Sequence, residues 1–210
     1  MGRTATVLAL ALLWPVGAHA QLRAGDLVFQ TSRSAQGRVI REVTGSPWSH
    51  VGIVLPRHQE LGDGEPGDGE LGDGELWVLE AVSPVRWTRL DRWRRRGVGG
   101  RVAVRRLRRA LTQREIGALL REGERLIGRP YDARFEWGDT RLYCSELVWL
   151  LYERALGEQL TTPERWRDLR LTPRARRLAR RRLGRLPPPG GLVVTPAALA
   201  RSPRLAEVRP

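Results

Sequence analysis

The sequence predicts an α/β protein of the α+β type, a small sheet flanked by amphipathic helices. Three observations carry that prediction. Short β-branched runs at residues 49–55, 76–82 and 101–105 read as strands. Longer stretches at 112–127 and 144–156 place apolar residues at helical spacing, and glycine stops each of them. Gly- and Pro-rich segments separate these elements.

The first 20 residues read as a secretory signal. Arg3 supplies the positive start, residues 5–16 an apolar run, and Ala18-His19-Ala20 a small-x-small cleavage site before Gln21. The run is too short to span a bilayer. Residues 21–210 are then expected as one exported domain, periplasmic or held at the cell envelope, since a chain of this length can bury one good core.

Within that domain, residues 25–30 open a strand, and residues 37–43 form a helix with Val39, Ile40 and Val43 on one side. Residues 49–55 form a buried strand bounded by Pro47 and Pro56. Residues 61–75 are three near-copies of a pentad, Leu or Pro followed by Gly-Asp-Gly-Glu, a composition that cannot pack a core and reads as a solvated acidic loop. Its spacing matches neither an EF-hand loop nor a nonapeptide calcium repeat. Residues 76–82 form the next strand, so the pentads join two neighbouring strands. A short basic helix follows at 90–96 and a half-exposed strand at 101–105.

Thr112 caps a helix that turns Ile116, Leu119, Leu120 and Ile127 inward. The helix from Cys144 turns in Leu147, Val148, Leu150 and Leu151. Residues 165–185 hold ten Arg and one acid, Asp168: a cationic surface element or simply a solvated face. Thr195-Pro196 starts a last short helix.

Net charge is +14, and all 37 basic residues are Arg. The field favours anionic surfaces such as phospholipid head groups or cell-wall polymers. No nucleic-acid motif accompanies it, which argues against a nucleic-acid partner. A single Cys excludes an internal disulfide. A lone thiol in an exported chain is either buried and inert or kept for its reactivity.

Thiol hydrolysis needs a thiolate, a base, a group to orient that base, and donors for an oxyanion. Beyond the signal there are two histidines, His50 opening a buried strand and His58 beside the acidic repeats. A Cys–His pair is therefore Cys144 with His50, by elimination. Cys144 begins a helix, whose dipole and free first-turn N–H groups favour a thiolate and can hold an oxyanion. Glu80, on an adjacent strand, is placed to fix the imidazole tautomer. Each residue alone has a plainer reading: a core Cys, a structural His, a Glu paired with one of many Arg. One Cys and two distant His do not make a metal site.

The motifs recur in one order: Gly25-Asp26, Ser49-His50-Val51-Gly52, Leu79-Glu80-Ala81, Tyr131-Asp132, Tyr143-Cys144-Ser145-Glu146-Leu147-Val148, Val194-Thr195-Pro196-Ala197 and Ser202-Pro203. Together they resemble the permuted papain-like amidases, the YaeF/YiiX-like relatives of the NlpC/P60 peptidases, over about residues 23–208. The resemblance implies a circularly permuted papain-like fold with the His strand ahead of the Cys helix. It implies Cys144 as nucleophile, His50 as base and Glu80 as orienting residue, with no cofactor. Gly128-Arg129-Pro130-Tyr131 is similar to the Gly-x-Pro-Tyr of NlpC/P60 enzymes, making Tyr131, with Ser145 beside the nucleophile, a candidate substrate or oxyanion contact.

The implied activity is amide hydrolysis through a Cys thioester, acting on a cell-wall peptide or a lipid-linked amide, in a monomer. An acyltransferase would use the same residues. A non-catalytic module binding a lipid or amino acid is the alternative from another class. The pentad insert and the Arg-rich stretch depart from the family's pattern.

Overall fold

The computed structural model describes residues 22–57 and 76–209. The signal segment, His58 and the pentads at 61–75 lie outside the described residues.

Six antiparallel strands form the sheet: β1 (Leu27–Ser32), β2 (His50–Leu55), β3 (Trp77–Ala81), β4 (Val85–Arg89), β5 (Gly97–Leu107) and β8 (Leu205–Val208), in the order β4-β3-β2-β1-β5-β8. The helices are α1 (Ala35–Thr44), α2 (Leu90–Arg96), α3 (Gln113–Leu126), α4 (Cys144–Leu156), α5 (Pro173–Leu183) and α6 (Pro196–Ala200). A two-stranded ribbon pairs β6 (Glu164–Arg165) with β7 (Leu192–Val193).

Register decides what each face of the sheet carries, because strand side chains alternate. Val54 lies opposite Val78, Val78 opposite Thr88, and Gln30 opposite His50. His50, Val54, Val78, Glu80 and Thr88 therefore share one face. α2 covers that face and buries Trp93 fully among Val28, Val54, Val78 and Val104. The other face carries Leu27, Phe29, Val51, Ile53, Leu55 and Leu79 under α3 and α4. Both faces are covered, so β2 reads as a continuous apolar run rather than an alternation.

α4 is apolar all round and central: every residue from Cys144 to Tyr152 is buried. Full burial of each of its Leu side chains contributes about 1.5–3 kcal/mol. α3 is amphipathic, capped by a reciprocal Thr112–Glu115 box, and approaches the sheet closely at Gly123. A Cβ at Gly123 would lie 2.6 Å from Leu79 Cδ2.

The predicted inward set of α3 needs one correction. The helix ends at Leu126, which is buried, whereas Ile127 is its C-cap and is 40% exposed. The apolar stripe of α1 faces a cavity: Val39, Ile40 and Val43 are half-buried and line it. The Gly25-Asp26 motif is structural. Asp26 is fully buried and accepts two hydrogen bonds from Arg106, at 2.7 and 2.8 Å, which clamps β1 to β5.

Candidate active site

His50 is the first residue of β2, and Ser49 sets it in place. The Ser49 amide donates to the Gln30 carbonyl, and its hydroxyl accepts from the Ser32 amide at 2.8 Å. The His50 imidazole sits on the α2 side of the sheet, with the Trp93 ring stacked 6.0 Å away at 29°. Its Nε2 lies 2.6 Å from Glu80 Oε2. The other Glu80 oxygen accepts from Thr88 Oγ1 at 2.6 Å and from Arg96. Burial alone would raise the Glu80 carboxyl, but His50, Arg96 and Thr88 pull it down to about 2. A carboxylate only accepts, so Nε2 carries the proton and Nδ1 is left for the thiol.

Gly52 makes that pairing possible. It faces β3 on the same side as His50, where a Cβ would sit 2.4 Å from Val78 Cγ1 and 3.0 Å from the Leu79 carbonyl oxygen.

Cys144 comes from the other side of the sheet. It is the first residue of α4, 2% exposed, and it meets His50 at the end of β2. Burial pushes the Cys144 thiol up. The charge and hydrogen bond of His50, the Val51 amide and Ser145 outweigh this and bring it below its ordinary value. Burial likewise lowers His50, while the Cys144 charge and hydrogen bond and the Glu80 carboxylate raise it to about 10. A thiolate–imidazolium pair is the state this geometry favours. Tyr143, the N-cap of α4, makes no side-chain cap hydrogen bond, so first-turn amides remain to receive an oxyanion.

With this geometry in hand, the comparisons decide the family. The profile of the "permuted papain-like amidase enzyme, YaeF/YiiX, C92 family" matches residues 21–209. The chain belongs to the permuted papain-like amidases. It is 34% identical over 204 residues to the uncharacterized protein YiiX of Escherichia coli (strain K12), covering 96% of this chain and 94% of that protein. A crystal structure described as metalloprotein yiiX from Escherichia coli O157:H7, DUF1105, superposes with a TM-score of 0.79 at 33% identity, covering 90% of this chain and 97% of that one. Among the described residues of the present family member, no three His, Cys, Asp or Glu side chains gather as a metal requires.

Of the sequence-predicted residues, Cys144, His50 and Glu80 come together in the papain-like arrangement. Tyr131 is half-buried one contact away. Its backbone bridges Leu142, two residues before Cys144, and its hydroxyl accepts from Gln36 Nε2 at 2.7 Å. Ser145 lines the cavity beside Cys144. Its hydroxyl is buried and donates to the Val194 carbonyl at 2.8 Å, so that group ties the chain together.

Sequence reasoning missed Thr88, Trp93, Arg96 and Glu146. The alternation of 85–89 would have placed Thr88 on Glu80's face; nothing local marks Arg96 among so many arginines. Glu146, fully buried, accepts from the Gly138 amide at 3.0 Å, while its second oxygen has no hydrogen-bond partner among the described residues. Burial, helped by Asp132 and Asp139, pushes its carboxyl up to about 8.

An apolar cavity opens beside Cys144, about 840 Å³ with its mouth included. α1 and α5 form two of its walls, and Phe135, Cys144, Trp166 and Val194 line it as well. Phe135 holds a positive φ of 54° and tilts against Tyr143 with ring centroids 5.1 Å apart. Asp132 fixes that turn by accepting from the Arg134 and Glu136 amides.

Proposed function

We propose that the protein is a cysteine amidase that cleaves the amide joining an acyl chain to an amine or amino acid at the cell envelope. The observation that carries this reading is the cavity: a nearly all-apolar space that Cys144 helps to line. A wall peptide is polar along its whole length and would gain little from such a lining. An acyl chain gains with each methylene buried.

In the proposed reaction the Cys144 thiolate attacks the amide carbon and a C–S bond forms. The carbonyl π pair moves onto oxygen, where first-turn amides of α4 receive it. Collapse of that intermediate breaks the C–N bond, and the leaving amine takes the proton from His50 Nδ1. Nδ1 then deprotonates water, which attacks the thioester. Sγ leaves as thiolate and the carboxylic acid is released. Glu80 keeps Nε2 protonated throughout, and Thr88 and Arg96 hold Glu80 in place.

The test is hydrolysis of N-acylglycines of increasing chain length, with mass spectrometry of the quenched enzyme. Expected are kcat/KM rising several-fold per added methylene until the cavity fills, and an acyl mass on Cys144. Cys144→Ala is expected to lose turnover while melting within a few degrees of wild type, and His50→Ala to lose nearly as much, because the pair acts as a unit. A flat chain-length series sinks the acyl reading, and undiminished hydrolysis by Cys144→Ala sinks the mechanism.

A further inference from the structure

α5 has two unlike faces, and both bear on the cavity. Ala175 is buried, and Leu178 and Ala179 are half-buried; all three line the cavity wall. Arg177, Arg180 and Arg181 are exposed on the other side, and Arg176, also exposed, borders the cavity from the flank of the helix. The helix is well defined at both ends: Thr172 caps it, Pro173 starts it and Gly184 closes it in the left-handed conformation. It is also fastened to α1, since Glu42 accepts from Arg174 at 3.1 Å and from Thr172 at 3.2 Å.

The exposed face has no internal reason to be arginine. Arg176–Arg180 and Arg177–Arg181 are i,i+4 pairs of like charge, an arrangement that destabilises an isolated helix. Among the described residues no carboxylate pairs with Arg177, Arg180 or Arg181, whereas Arg174 and Arg185 each have one. α5 itself carries no acid. An external anion relieves that repulsion.

We propose that α5 docks the protein on an anionic phospholipid bilayer, and that docking feeds a lipid-borne acyl chain along its apolar face to Cys144. The proposal rests on the acyl-amide reading above and names where the substrate comes from. Amphipathic helices with an arginine-rich polar face lie in the membrane interface, held by electrostatic attraction and apolar burial together. Here the apolar face is already a cavity wall, so the arginines place the cavity against the leaflet instead of driving the helix into it. A soluble polyanion would satisfy the charges but would leave an apolar channel beside them without an occupant.

The experiment uses the full chain and the triple variant Arg177→Gln/Arg180→Gln/Arg181→Gln. Arg176, which lines the cavity, is left untouched. Binding is read by co-sedimentation with phosphatidylglycerol–phosphatidylcholine vesicles and with pure phosphatidylcholine vesicles. Activity is read on an N-acyl amide carried in those vesicles and on a short, water-soluble one.

Expected is wild-type binding to the anionic vesicles that weakens with added salt, with partitioning lowered on the order of a hundredfold in the variant. Turnover of the vesicle-borne amide is expected to fall in parallel, with the soluble amide cleaved at the wild-type rate. Equal partitioning onto both vesicle types overturns the proposal, as does unchanged partitioning of the variant. So does a preference for heparin over anionic vesicles at matched charge. Wild-type protein that docks but cleaves neither amide overturns the amidase reading and leaves the docking surface standing.

Discussion

Glu80 Oε2 lies 2.6 Å from His50 Nε2, and the two residues share a sheet face that Cys144 reaches only around the end of a strand. The imidazole is thus held from one side of the sheet and met by Cys144 from the other. Arg96 and Thr88 on the second Glu80 oxygen make the carboxylate a fixed reference, unable to swing away or take up a proton.

Glu80→Gln is expected to cost up to about 10⁴-fold in kcat, the size of loss that follows when an orienting carboxylate becomes an amide. The Gln oxygen would turn to Arg96 and Thr88, leaving its NH₂ toward His50. That reverses the imidazole tautomer and puts a proton on the nitrogen that should face the thiol. Steady-state kinetics on the N-acylglycines checks this, and a loss under tenfold would show that Glu80 serves the fold alone.

The pH profile of kcat/KM should be broad. The reactive ion pair forms as pH rises through the lowered thiol value and is lost when His50 gives up its proton at about 10. The acid limb should therefore fall below the range of a free thiol and the alkaline limb near 10. An optimum confined to a narrow peak near pH 6.5 would contradict a raised His50.

Glu146→Gln should flatten the dependence of stability on pH. In the folded chain the carboxyl keeps its proton up to about 8, whereas its ordinary value is 4.5. Between those values the folded state binds more protons than the unfolded one, so wild-type stability drains away as pH rises from about 4.5 to about 8. Gln retains an acceptor for the Gly138 amide without that titration. Urea unfolding at pH 5 and pH 8 is the measurement, and identical losses in both proteins would remove Glu146 from the explanation.

Gly52→Ala is expected to destabilise by about 1–3 kcal/mol, the usual cost of forcing a methyl into a packed interior. It should also cost activity out of proportion, because β2 must move off β3 and carry His50 from Glu80. Thermal melting with parallel kinetics separates the two effects. A variant that melts lower yet turns over normally would mean that the His50–Glu80 contact tolerates the shift.

Much of this arrangement was legible from residues alone. His50 opened a β-branched run, Glu80 sat in the next one, and Cys144 headed a helix whose bounds the periodicity placed at Cys144–Leu156, as observed. β4 escaped notice because Pro84 and three polar residues interrupt its apolar pattern, and Thr88 went with it. Trp93 and Arg96 act through contacts made only when α2 folds over the sheet. The stripe on α1 gave no sign of a cavity, because an apolar face looks the same whether it meets side chains or open space. Only the packing of α1 and α5 around Phe135 and Trp166 distinguishes them.

The tie between Ser145 and Val194, matched by the Val194 amide donating to the Tyr143 hydroxyl at 3.0 Å, carries a consequence for biosynthesis. A growing chain delivers His50 first, Glu80 next, Cys144 and its helix later, and the segment that anchors this helix some fifty residues after it. β8, which completes the sheet edge on β5, comes later still. Between the addition of Cys144 and that of Val194 the nascent chain therefore carries an ordinary thiol on an unanchored helix. The first turn of α4 is held in place only once residues around 194 have folded back onto it, so the thiol and the imidazole are brought to their final geometry by a segment made well after both.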